Sequence, residues 1–281
     1  MAEHRFDTLT QRCLSAAVLI PAALAAVWGG GVWLGGLALA AAALMAKEWI
    51  EMGLAAGGGE DPWPARPDNA AVAIMGAVFL AAMAATLGRP LAALAIAGGG
   101  TVLVAMLGRL RRGTGGAILA LGVPYIVIPI TALIWLRGEG ATGMRTVVWV
   151  LALVWATDIG AYLAGKLIGG PKLAPAVSPG KTWSGLAGGA AAAAAVGLGA
   201  GLSALAPLSL RFVALGIAVS LVAQAGDLLE SRIKRHFDVK DSGTIIPGHG
   251  GVLDRVDGLL TAFPFVAAMQ LWSGSGDIIW T

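Results

Sequence analysis

Apolar runs broken by short Gly-, Pro- or charge-bearing stretches repeat along the whole chain, near residues 12–28, 31–48, 70–88, 90–108, 116–136, 146–166, 183–206, 209–231 and 252–273. Each run approaches the roughly 20 residues a helix needs to cross the hydrocarbon core of a bilayer. None alternates as a barrel strand does, and in lipid only a helix satisfies its own backbone within one segment. The pattern therefore predicts an all-α polytopic membrane protein with about nine transmembrane helices. The stretch from Gly53 to Pro67, with Glu60, Asp61 and the following Asp68, reads as a solvated loop. Arg12 ahead of a short apolar run resembles the start of a secretory leader, but a second run follows at once, which favours a retained helical hairpin.

Composition agrees with this pattern. The chain has 281 residues, 57% of them hydrophobic and 12% charged, with a mean hydropathy of +0.80. Soluble domains carry about 25% charge. About nine crossings of roughly 20 residues consume about 180 residues, which leaves no room for a separate soluble domain. Disorder and a coiled coil are excluded, and a net charge of +3 on so apolar a chain is an orientation bias, with no nucleic-acid partner implied. The single cysteine, Cys13, forbids an internal disulfide. Residues 1–140 are expected to form N-terminal transmembrane helices, a scaffold that includes any dimer contacts, and residues 141–281 to form C-terminal transmembrane helices that carry the site. Trp28, Trp33, Trp49, Trp272 and Trp280, near the ends of runs, are expected interfacial anchors. The Gly- and Ala-rich stretch from Gly188 to Ala200 is an expected packing surface.

Orientation follows from the basic residues. With the N-terminus in the cytoplasm, 15 of the 19 Lys and Arg residues fall inside, and Arg89, Arg137, Arg145 and Arg211 fall outside. The candidate site then faces the cytoplasm.

Charge is concentrated in one place. The 31 residues from Asp227 to Asp257 hold six of the 16 acids and five of the 19 bases. An aspartate at a helix centre costs about 2.5–3.5 kcal/mol on insertion scales, so several at membrane depth require partners or a hydrated cavity. On a continuing helix Asp227, Ser231 and Lys234 share a face at i, i+4 and i+7, and Asp254 and Asp257 share one at i and i+3. Hard oxygen ligands without a Cys or a His pair suit Mg²⁺. The plainer alternative is a structural network in which Arg232, Lys234 and Arg255 pair with the acids.

Between these helices runs Lys240-Asp241-Ser242-Gly243-Thr244-Ile245-Ile246-Pro247-Gly248-His249-Gly250-Gly251. Its glycines admit close approach of an anion, and it opens onto a helix N-terminus, so it reads as a phosphate cradle with His249 as a donor, or as an ordinary turn. Upstream, Asp158 interrupts an apolar helix, with Tyr162 one turn later. Gly180-Lys181-Thr182 imitates the end of a P-loop, but Pro175 stands where that motif needs Gly and no strand is expected before it, so an NTPase P-loop is rejected. What remains is a basic loop, from Lys172 through Ser178 to Lys181, beside a helix start.

The segment Ser231 to Asp257 resembles the signature of phosphatidate cytidylyltransferases, also called CDP-diacylglycerol synthases. The resemblance is carried by Ser231, Ile233, Lys234, Arg235, Lys240, Asp241, Gly243, Ile246, Pro247, His249, Gly250, Gly251, Val252, Asp254, Arg255, Val256 and Asp257. Gly226, Asp227, Glu230, Asp158, Tyr162, Gly165, Ser178, Pro179, Lys181 and Thr182 extend it, whereas Ser184 departs from the carboxylate or amide many relatives have there. The resemblance implies transfer of CMP from CTP to phosphatidate with Mg²⁺, in a membrane-embedded, typically dimeric enzyme of the bacterial inner membrane. On that basis Asp227, Asp254 and Asp257 are expected to hold the metal. Lys234 is expected to act in catalysis, and Ser231, Arg235, Lys240, His249, Gly250, Gly251, Arg255, Asp158, Lys181 and Ser178 in substrate binding. Two anionic substrates repel each other, so cations must offset that repulsion, and an ionised phosphate nucleophile needs no strong base. A cation- or proton-coupled transporter using Asp158 and Asp227 is the competing reading from another class. No internal repeat supports it.

Overall fold

The computed structural model describes residues 2–55, 69–112, 115–138, 140–203, 210–246, 250–273 and 280. Among them the chain forms α1 (Ala2–Gly29), α2 (Gly31–Ala55), α3 (Asn69–Thr86), α4 (Pro90–Arg112), α5 (Gly115–Ala120), α6 (Gly122–Arg137) and α7 (Ala141–Leu167). A hairpin of β1 (Lys172–Ala174) and β2 (Ser178–Thr182) follows, then α8 (Trp183–Ser203), α9 (Leu210–His236) and α10 (Leu253–Trp272). The protein is an all-α polytopic membrane protein. Seven stretches are long and apolar enough to cross a membrane: Gly31–Gly53, Asn69–Thr86, Pro90–Arg109, Ala117–Arg137, Ala141–Leu167, Trp183–Gly201 and Leu210–His236.

The other two of the nine expected crossings fall outside this group for physical reasons. The first half of α1 carries Glu3, Arg5, Asp7 and Arg12, so its apolar part shrinks to Ala17–Gly29. Helix α10 begins with Asp254, Arg255 and Asp257, which lower its hydropathy. The loop expected from Gly53 to Pro67 lies mostly outside the described residues.

The chain divides into two compact units. One comprises Met1–Glu139 with His236–Val256, the other Gly140–Arg235 with Asp257–Thr281. In the first, Trp49 of α2 is 1% exposed. Its Nε1 donates to the Leu119 carbonyl at 3.0 Å, and its ring meets Tyr125 and Phe237 with centroids 5.4 and 5.9 Å apart. Gly122 lets the indole lie against the backbone of α6, since a Cβ there would overlap the ring. Arg137 is buried at the end of α6, where its Nε donates to the Val27 carbonyl at 2.6 Å and its Nη2 to the Trp28 carbonyl at 3.1 Å. These bonds cap the open carbonyls at the end of α1.

In the second unit α7 and α8 touch backbone to backbone. A Cβ on Gly160 would stand 2.6 Å from the Gly188 carbonyl oxygen, and one on Gly189 3.0 Å from that of Thr157. Small residues permit this approach, in the packing role expected of Gly188 to Ala200. The β1–β2 hairpin is antiparallel, with Lys172 opposite Thr182 and Ala174 opposite Ser178. A strand thus does precede Pro175, contrary to expectation, because Pro175, Pro179 and Gly180 punctuate the segment and hide its short pairing. Thr182 caps α8, accepting from the Gly185 amide at 3.1 Å. Ser184 fastens the hairpin by donating to the Gly169 carbonyl.

Two tryptophans are not interfacial anchors. Trp49 is core, and Trp280 packs on Phe212 at 5.7 Å while its Nε1 donates to Thr146 Oγ1 at 3.0 Å. Trp28, Trp33 and Trp272 are exposed, as anchors must be.

Candidate active site

The second unit gathers most of the expected site residues. Helix α9 carries Asp227, Ser231, Lys234 and Arg235, β2 carries Ser178 and Lys181, α7 carries Asp158, and α10 carries Asp257. Helices α9 and α10 approach closely just before Asp227. A Cβ on Gly226 would overlap the Thr261 side chain, whose Oγ1 donates to the Val222 carbonyl at 3.0 Å. This contact sets Asp227 and Asp257 within electrostatic reach of each other, and Asp257 also feels Asp158 and Lys181. Lys181 Nζ makes an ion pair with Asp227 Oδ2, and Asp257 Oδ1 accepts from the Gly258 amide at 2.7 Å. Asp227 is therefore paired with Lys181, and Asp257 lies within electrostatic reach of both. Like charges at such range are costly in a low-dielectric setting, and a further cation relieves that cost.

The rest of the α9 stripe is divided. Ser231 Oγ lies 3.5 Å from Asp227 Oδ1, a long contact. Lys234 turns to Glu230, with Nζ 3.1 Å from Oε1, and both side chains are largely enclosed, 13% and 2% exposed. This pair belongs to the structural network that the sequence left open. Asp158 is exposed on α7, followed by Tyr162 and by Lys166, whose Nζ donates to the Tyr162 hydroxyl at 3.3 Å. Ser178 is half-buried on β2, and Arg235 is exposed. Among the described residues no three Asp, Glu, His or Cys side chains are already grouped as a metal site. The all-oxygen donor set around Lys181 nonetheless fits Mg²⁺ in chemical type.

The first unit holds the segment between α9 and α10. Asp254 folds back over it, and its Oδ2 accepts from the Ser242 amide at 2.9 Å and the Gly251 amide at 3.0 Å. Ile246 and Gly250 exchange amide hydrogen bonds of 2.9 and 3.2 Å. Gly250 has φ +87°, and a Cβ there would stand 3.0 Å from Asp254 Oδ2, so both its conformation and its neighbour require glycine. Glu48 of α2, fully buried, accepts from Val252 N at 2.6 Å, Leu253 N at 2.9 Å and Ser242 Oγ at 3.1 Å. The amides of Gly250, Gly251, Val252 and Leu253 thus all donate to protein oxygens. Carboxylates occupy the helix N-terminus where the sequence suggested a bound phosphate. Lys240 and Arg255 are exposed, and His249 lies outside the described residues.

Glu48 was missed in the sequence because it stands where the second apolar run gives out. The signal was its face: Ala38, Ala42, Met45, Trp49 and Met52 form the buried stripe of α2, and Glu48 falls between them at helical spacing.

A model of the cytidylyltransferase family matches residues 10–272. The chain is 48% identical over 143 residues to a phosphatidate cytidylyltransferase of Brucella suis, covering 51% of this chain and 53% of the relative. It is 40% identical over 149 residues to the Bacillus subtilis protein of that name, with 53% and 55% covered. With that of Staphylococcus aureus strain COL it shares 38% over 168 residues, with 56% and 60% covered. The chain spans about half the length of the curated relatives it matches.

Proposed function

Because the chain belongs to the cytidylyltransferase family, we propose that it transfers CMP from CTP to phosphatidate, giving CDP-diacylglycerol and pyrophosphate. A phosphate oxygen of the lipid forms the new bond to the α-phosphorus of CTP, and the bond from that phosphorus to the bridging oxygen of the β-phosphate breaks. The observation that carries this reading is the Asp227–Lys181 ion pair with Asp257 within electrostatic reach of both, in a helical membrane protein. Such a cluster is costly unless cations and phosphates complete it.

In this proposal Asp227, Asp254 and Asp257 would hold Mg²⁺, which would supply charge compensation for the triphosphate. A second, monovalent cation is compatible with the same donors. Lys234, released from Glu230, and Lys181 draw charge from the transferring phosphate, while Arg235, Lys240 and Arg255 attract the polyphosphate and the lipid head group. Ser231, Ser178 and His249 donate to phosphate oxygens, and Asp158 completes the cleft. Gly250 and Gly251 give the loop its shape rather than donating directly. The enzyme is proposed to act as a homodimer in the bacterial inner membrane, with its N-terminus and site facing the cytoplasm. Family membership does not favour the ion-coupled transport reading.

The test gives purified protein labelled CTP and phosphatidate, with and without Mg²⁺, and follows label into lipid. Labelled CDP-diacylglycerol formed only with both substrates and Mg²⁺ is the expected result. Ion flux in proteoliposomes without CTP consumption would overturn the reading.

A further inference from the structure

We propose that Glu48, far from the signature segment in sequence, is a positioning residue for the CMP transfer. It holds the α9–α10 loop and the first turn of α10 in the arrangement the reaction requires. This inference rests on the function proposed above.

Four observations converge on it. Glu48 lies within a helix long and apolar enough to cross a membrane and is 0% exposed. An acid at such a place is unfavourable unless donors surround it, and packing alone is met by Leu or Met. Its two oxygens take three hydrogen bonds, from Ser242 Oγ at 3.1 Å, Val252 N at 2.6 Å and Leu253 N at 2.9 Å. The loop backbone lies flat on the side chain: a Cβ on Gly243 would stand 3.0 Å from Glu48 Cγ, and one on Gly251 2.9 Å from Cδ.

The same stretch is gripped from the other side by Asp254, through the amides of Ser242 and Gly251. Two carboxylates thus clamp one loop, and the negative charge of Glu48 sits at the favourable end of the α10 dipole. The clamped loop separates Lys234, Arg235 and Lys240 from Asp254 and Asp257. Fixing its path therefore fixes Lys240 and Asp254, the members of that set within the first unit. Glu48 itself touches backbone and Ser242, so its effect on the reaction passes through them.

The test compares wild-type protein with Glu48→Gln, which keeps the size but replaces one acceptor oxygen with a donor facing an amide N–H. Two readouts are taken: steady-state kinetics with CTP, and hydrogen exchange of peptides covering residues 240–254. The expected result is a fall in kcat of about 10- to 100-fold, the range found when a supporting shell is removed, with KM for CTP within about 3-fold. Exchange should quicken in that loop and not in α7 or α8. Glu48→Asp, which keeps the carboxylate, should recover part of both losses. Should Glu48→Gln fail to fold, Glu48→Asp alone is compared with wild type, and a lower kcat with faster loop exchange supports the proposal.

Unchanged kcat, or a loss matched by faster exchange throughout the protein, overturns it. If wild-type protein makes no labelled lipid from CTP and phosphatidate, the functional reading fails first. Loop exchange then decides alone: local quickening retains Glu48 as the clamp, and unchanged exchange removes it.

Discussion

Two groups of carboxylates in this protein are satisfied in opposite ways. In the first unit Glu48 and Asp254 are surrounded by N–H and O–H donors, five hydrogen bonds between them. In the second, Asp227 pairs with Lys181, and Asp257 lies within electrostatic reach of Asp227 and Asp158. Acids met by neutral donors hold a loop in place, and the proposed Mg²⁺ role of Asp254 is additional to that one. Acids met by other acids carry an unrelieved repulsion, and a divalent cation together with phosphate-bearing substrates relieves it. Acids therefore read as scaffold at Glu48 and as chemistry at Asp227 and Asp257, and the partners distinguish them.

The sharpest way to break this comparison is Asp257→Asn. Removing one charge from the crowded group should cut CMP transfer by at least about 100-fold, while relieved repulsion leaves thermal unfolding in detergent unchanged or raised. A folded variant with wild-type rate would detach that group from the reaction. Lys234→Ala comes next, with an expected rate loss of about 10- to 100-fold in single turnover and normal membrane insertion. Unchanged single-turnover kinetics would leave Lys234 as the partner of Glu230 alone.

Asp254→Ala tests the other group, because it strips the acceptor from two backbone amides. It should lower stability by about 1–2 kcal/mol, as loss of a helix cap does, in addition to any loss of rate. A stability equal to wild type would mean that the loop does not depend on that carboxylate. The smallest effect is expected for Gly250→Ala, which places a Cβ at φ +87° beside Asp254, at a cost of about 1 kcal/mol measured by denaturant unfolding.

The fold was legible in the sequence wherever burial in lipid dictates composition. The apolar runs mark α3, α4 and α8 to within a few residues, because no other backbone arrangement satisfies itself across a membrane. Short pairings left no such trace: β1 and β2 involve three and five residues and are broken by Pro and Gly. Trp280 looked interfacial because its distance from a run end was visible and its partners, Trp149 and Phe212, were not. In the site, Asp227, Asp257 and Lys181 were legible as charges that an apolar chain has no other reason to keep. Glu48 was not, since its meaning depends on Ser242, 194 residues away. The donors of the phosphate-like loop were visible as glycines, but their acceptors belong to the fold.

The most direct measurement is the rate of labelled CDP-lipid formation as a function of free Mg²⁺, in wild-type protein and in Asp257→Asn side by side. The account predicts a saturable dependence for wild type, abolished by chelator and restored by Mg²⁺, and a curve displaced to much higher Mg²⁺ or flattened in the variant. Superimposable curves, or lipid labelling that persists without any divalent ion, would contradict it.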